Sequence, residues 1–143
     1  MKAHVGVDSQ TKIIHTAVAT SAKVSDVAML PDLLHGEETR VWGDAAYQGQ
    51  TEVIRECAPQ ARDYTQRRCR YKGQIVDAVA WAKHRTKSKV RAKVEHVFQV
   101  MKLQFGFVKV RYRGLQKNAQ RLFVTCALVN LFVSRKKLLL ATA

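Results

Sequence analysis

Arg91-Ala92-Lys93-Val94-Glu95-His96-Val97-Phe98-Gln99-Val100-Met101-Lys102 is the stretch that decides how this chain is read. Val90, Val94, Val97, Phe98 and Met101 recur at helical spacing, which predicts an amphipathic helix with one apolar face. At about 100° per residue, Arg91, Glu95 and Lys102 fall on nearly one line along its surface. Glu95 is the only acid between Lys83 and Arg113, a span that also carries Arg85, Lys87, Lys89, Arg91, Lys93, Lys102, Lys109 and Arg111. Two readings follow. A lone carboxylate in a cationic field suits a metal ion that works on a phosphate backbone. An Arg91–Glu95 surface pair at i, i+4 accounts for the same letters with a few tenths of a kcal/mol of helix stability.

The rest of the composition narrows the field. The chain has 143 residues, is 47% hydrophobic and carries a net charge of +14. The length suits one domain with a real core. The charge implies a polyanionic partner, nucleic acid before a membrane surface. No apolar run is long enough to span a bilayer, and Leu122 to Val133, interrupted by Thr125 and Asn130, reads as a buried helix. Met1-Lys2-Ala3-His4 lacks the apolar core of a signal peptide. Cys57, Cys69 and Cys126 are odd in number and unpaired in spacing, which argues for a reducing cytoplasm with neither disulfides nor zinc.

In chain order, Lys2 to Val7 and Lys12 to Thr20 are β-prone and flank Asp8-Ser9-Gln10-Thr11, so a hairpin is expected, with Asp8 as turn cap. His4 and His15 are assigned to hairpin packing. Ser25-Asp26 can cap a helix through Leu30, Leu33 and Leu34 that stops at His35-Gly36, with Pro31 splitting it into short turns. Glu37 and Glu38 read as a solvated turn. Arg40-Val41-Trp42 is a short strand ending in Gly43-Asp44. Asp44 is either the start of an ordinary turn or a carboxylate set beside small residues with room for a ligand. A helix over 51–57 and a strand over 61–65 would complete a strand–helix–strand unit. The run 67–73 is either a phosphate-contacting loop or a solvated linker, 74–81 is a short helix, and the basic stretch 83–89 leads into the helix of Glu95. Val108, Val110 and Tyr112 alternate with Lys109, Arg111 and Arg113, which predicts a strand with one basic face for phosphates or for guarding an edge. Asn118 is expected to cap a last helix, with Arg135-Lys136-Lys137 near its negative end.

Taken in order, these pieces resemble the bacterial insertion-sequence transposases of the DDE class, the insertion-sequence-five family in particular. The resemblance rests on Met1 to Asp8, Leu34-His35-Gly36-Glu37-Glu38, Gly43-Asp44-Ala45-Ala46-Tyr47-Gln48-Gly49, Arg91 to Lys102, Phe105 to Leu115, and Lys117-Asn118. It implies an α/β, ribonuclease-H-like (integrase-type) catalytic core with a long C-terminal helix. Residues 1–143 would form a single partial catalytic domain. In this family three carboxylates hold two magnesium ions. Asp44 matches the second aspartate and Glu95 the glutamate, so both are assigned as catalytic metal ligands. Arg91 and Lys102 fit the family's signature around the glutamate, and Ser88 stands where a tyrosine is expected. Arg91, Lys102, Lys109, Arg111 and Arg113 are the expected DNA-binding residues.

The chemistry suits these residue types. Paired cations activate water or a 3′-hydroxyl and stabilise the leaving oxygen of a phosphodiester, and magnesium takes oxygen ligands. The family's first aspartate lies on a strand before the segment that matches Met1 to Val7, so the chain is expected to lack that residue and that strand and to be inactive alone. The resemblance also implies double-stranded DNA as partner (transposon ends and target) and no membrane. A bacterial, nucleoid-associated cytoplasmic location follows, with a second copy or a complete transposase as protein partner. Two other functions are weighed: a non-catalytic DNA-binding module, and a basic RNA-binding protein of ribosomal type.

Overall fold

Hydrophobic patterning closes two small cores in the computed structural model, which describes residues 1–66 and 78–141, with side chains from 85 onward in the second segment. Residues 1–25 and 93–143 make one compact unit and residues 26–92 the other. The described chain is mixed α/β with a long C-terminal helix.

The first unit begins with a hairpin. Strands β1 (Lys2–Val7) and β2 (Ile14–Thr20) pair antiparallel, with a register shift at Gly6/Val7 that leaves His15 as the extra residue. The turn is held by its acid. Asp8 accepts from Gln10 N at 2.8 Å and from the Thr11 hydroxyl at 2.6 Å. Those hydrogen bonds, the Gln10 amide first, hold its carboxyl below the usual range. Lys12 turns the chain back with φ 63°. The Lys93 ammonium donates to Ser9 O, fixing the turn to the helix behind it. His4 is buried and bonds the Thr20 hydroxyl at 2.7 Å, as a packing residue should. His15 departs from the expectation: the bulge turns it out to solvent.

Two helices cover the hairpin, α3 (Ala78–Leu103) and α4 (Leu115–Ala141). Val97, Val100 and Met101 of α3 meet Leu122, Cys126 and Val129 of α4 and Ile14 of β2. The i, i+3, i+4 and i, i+4, i+7 spacings put each set on one face. Phe105 and Phe132 pack edge-to-face, centroids 6.2 Å apart. Leu122 is fully buried, and truncation to Ala would cost about 3 kcal/mol. Asn130 ties α4 to the hairpin through both backbone groups of Ile14, each at 2.8 Å.

Four expectations are corrected here. The basic stretch 83–89 is not a lead-in, because α3 already runs from Ala78. Helix α4 continues to Ala141, so Arg135-Lys136-Lys137 lie before its last turn. It is buried on one side only, since Val124, Leu128 and Leu131 are exposed. Residues 108–112 form no strand: Val108, Val110 and Tyr112 are 73%, 51% and 52% exposed. No neighbouring strand offers them a ladder among the described residues, and an alternating pattern without a partner does not make a sheet.

The second unit is smaller. Its core is Leu30, Val41 and Ile54, with Leu34, Tyr47, Val53 and Ala61 packed against them. As Pro31 requires, Val27–Met29 is one 3-10 turn and Leu30–Leu33 (α1) another short turn of helix. Strand β3 (Arg40–Val41), helix α2 (Thr51–Cys57) and parallel strand β4 (Arg62–Asp63) form the expected strand–helix–strand unit. Glu38 is more than a solvated turn residue: it accepts from His35 N at 2.8 Å and Gly36 N at 2.9 Å. The expected features at 67–73 and 74–77 lie outside the described residues.

Candidate active site and nucleic-acid interface

Asp44 is placed by the parallel ladder of the second unit. Arg62 N donates to Thr39 O, Tyr64 N to Val41 O and Gln66 N to Gly43 O at 3.0, 2.8 and 3.0 Å. Asp44 therefore leaves the strand at the last rung, which is where the sequence put it. The turn there is tight. A Cβ on Gly43 would lie 3.1 Å from both Thr65 Cγ2 and Tyr47 Cδ2, so a side chain at 43 forces Thr65 or Tyr47 to shift. Asp44 caps the turn Ala45–Tyr47, accepting from Ala46 N at 2.8 Å through Oδ1. Among the described residues no hydrogen bond reaches its Oδ2.

Its neighbours are already committed. Trp42 and Tyr64 stack at 4.6 Å. Burial, with the Asp26 and Asp44 carboxylates adding to it, pushes the Tyr47 hydroxyl up. Asp63 feels the opposite balance: desolvation pushes its carboxyl up, but the Thr51 hydroxyl at 2.7 Å and Thr65 N at 2.8 Å hold it below the usual range. Lys87 donates to Thr65 O at 2.7 Å, and Gln66 donates to the Ser88 hydroxyl at 3.3 Å.

Glu95 is in the other unit, exposed on α3 as helical spacing requires. Its neighbour His96 turns inward, and among the described residues its Nδ1 is buried without a hydrogen-bond partner. Glu95 and Lys102 both line one open depression of about 530 Å³, with Phe98, Gln99 and Leu103. Two turns of helix put about 10 Å of rise between Glu95 and Lys102. Gln99, one turn from Glu95 toward Lys102, was missed by the sequence reading; its i+4 spacing was the available signal. Arg91 is exposed on the same helix.

Lys109, Arg111 and Arg113 are exposed on the connection 104–114 between α3 and α4. Two side chains of α4 shape that loop. Asn118 is 3% exposed and does not cap α4 in the expected way. Its amide oxygen accepts from Arg111 N and Tyr112 N at 3.3 and 3.2 Å, and its amide nitrogen donates to Tyr112 O and Gly114 O at 2.6 and 2.7 Å. Arg121 donates to Lys109 O at 2.8 Å and Gly106 O at 2.9 Å, with its guanidinium 4.9 Å from the Phe107 ring centroid. Arg121 escaped the sequence reading because nothing local marks a helix residue that works on the loop before it.

A hard divalent cation needs oxygen donors, and Asp44 and Glu95 are of that type. Among the described residues no three of His, Cys, Asp and Glu are grouped to hold a metal. Among the described residues no helix is long and apolar enough to cross a membrane.

No solved structure matches the chain. The family model described as the transposase DDE domain matches residues 1–131, a span that includes Asp44, Glu95, Lys102 and the basic loop. The chain belongs to the DDE transposase family.

Proposed function

We propose that this chain serves the movement of an insertion sequence by metal-dependent cleavage and strand transfer of DNA, with Asp44 and Glu95 as the metal ligands it supplies. The family match over residues 1–131 carries the reading. Placement on a ribonuclease-H-like core, and in the insertion-sequence-five family, follows from the motif resemblance. Residues 1–143 then belong to one catalytic domain.

Asp44 and Glu95 would hold magnesium, two ions in the family, which supply an activated water or 3′-hydroxyl and neutralise the leaving oxygen. The remaining steps belong to side chains of the chain itself. Lys102, with Arg91, holds phosphate near the carboxylates by charge and hydrogen bonds. Lys109, Arg111 and Arg113 grip backbone phosphates further along the duplex. The partners are transposon ends and target DNA, met at the bacterial nucleoid, and a second copy of the chain or a complete transposase.

A second reading is favoured by the exposed basic loop, which binds DNA without either carboxylate: a non-catalytic fragment that associates or competes with a complete transposase. A magnesium-dependent nicking assay on duplex DNA carrying the element ends separates the two. Nicking that disappears in Glu95→Gln and in Asp44→Asn supports the catalytic reading. Binding without nicking supports the second. Nicking that survives both substitutions rules out the assigned ligands.

A further inference from the structure

The loop between α3 and α4 presents an unusual surface. Val108, Val110 and Tyr112 are more than half exposed, and Lys109, Arg111 and Arg113, which alternate with them, are exposed too. An alternating sequence normally buries its apolar set. Here neither set is buried, yet the backbone is not slack. Asn118 holds the amides of Arg111 and Tyr112 and the carbonyls of Tyr112 and Gly114. Arg121 holds the carbonyls of Gly106 and Lys109. Phe107 N donates to Met101 O at 3.0 Å. Two side chains of α4 thus fix the main chain and leave three apolar and three cationic side chains outward.

The geometry points to this loop as a stacking platform for unpaired bases at a DNA end, with Tyr112 under a base and Lys109, Arg111 and Arg113 on the flanking phosphates. The inference rests on the DNA-directed reading above and deepens it. Cations alone satisfy an intact duplex, whose outer surface is phosphate and sugar. Exposed valine gains nothing there and tyrosine only a phosphate hydrogen bond, but both gain from the π-faces and apolar edges of bases that have left the stack. A base stacked on an aromatic beside cations on its phosphates is how single strands are commonly held, and a fixed backbone lowers the ordering cost. An acidic protein partner could use the same side chains, but it would give no preference for frayed over paired DNA ends. Asn118 and Arg121 touch no nucleotide in this scheme; they are positioning residues.

The test uses the full chain and two DNA probes, a duplex of arbitrary sequence and the same duplex with mismatched terminal pairs carrying a fluorescent base analogue, with an RNA duplex as control. Wild-type protein should prefer the frayed probe by about tenfold, the usual worth of one stacked base, and should quench the analogue. Tyr112→Ala should remove the preference and the quenching while leaving duplex affinity nearly unchanged, and Tyr112→Phe should keep both. Equal affinity for the two probes, or a preference untouched by Tyr112→Ala, overturns the platform and leaves the transposase reading standing. Tighter binding to an RNA duplex than to either probe also overturns it. Failure to bind either probe at low salt overturns the platform and the DNA-directed reading together.

Discussion

Asn118 grips Tyr112 at both ends of that residue's backbone, receiving its N–H at 3.2 Å and donating to its C=O at 2.6 Å. One buried amide replaces the strand partner that the sequence pattern anticipates. Asn118→Ala strands four backbone groups, some of which water will reach. A loss of about 2–3 kcal/mol of stability is expected in urea unfolding. Asn118→Asp should be worse than Ala, because it sets a buried carboxylate oxygen against two carbonyls. Amide exchange at Arg111 and Tyr112 should speed up in both variants. Unchanged exchange at those two amides would mean the clamp contributes nothing.

The three cations of the loop should show in the salt dependence of DNA binding. Removing one phosphate-neutralising side chain flattens the slope of log K against log[salt] by about 0.9. Replacing Lys109, Arg111 and Arg113 together by Ala should reduce it by roughly 2–3. A slope that does not move would take these residues out of the interface.

Acid should loosen the hairpin turn. Asp8 is held below its ordinary value near 3.8 by the Gln10 amide and then the Thr11 hydroxyl. A carboxyl depressed by folding stabilises the fold above its unfolded value, and that contribution fades as pH falls through the folded value. Stability measured by thermal melts should therefore drop below about pH 4, and Asp8→Ala should lose part of that acid limb. If the variant keeps the same pH profile, the capping bonds do not contribute.

Burial in the first core pushes the Cys126 thiol up to about 11. At pH 8 that leaves about one thiol in a thousand ionised. Alkylation of Cys126 in the native chain should be slow and should rise sharply in denaturant, read by mass spectrometry. Rapid labelling without unfolding would mean that α3 and the hairpin do not cover it.

Some of this was written plainly in the letters. The hairpin and the strand–helix–strand unit were legible because turn residues and β-prone runs act over a few positions, and Asp44 duly follows the last rung of its ladder. The helix bearing Glu95 was legible from its apolar period, but its start was not. Lys83 to Lys89 read as a basic stretch leading into that helix, but the helix already runs from Ala78. The loop 104–114 misled for a related reason. Its alternation is real, but whether alternating residues form a strand depends on a neighbour that no local window contains. The work of Asn118, Arg121 and Gln99 was hidden because it depends on what the fold brings to them.

Asn130 has one more consequence. With both main-chain groups of Ile14 spoken for by that amide, no further strand can hydrogen-bond to β2 at that level. A strand added on that margin would have to pair beyond Ile14. A single asparagine more than a hundred positions away thus stoppers one end of the hairpin's free edge.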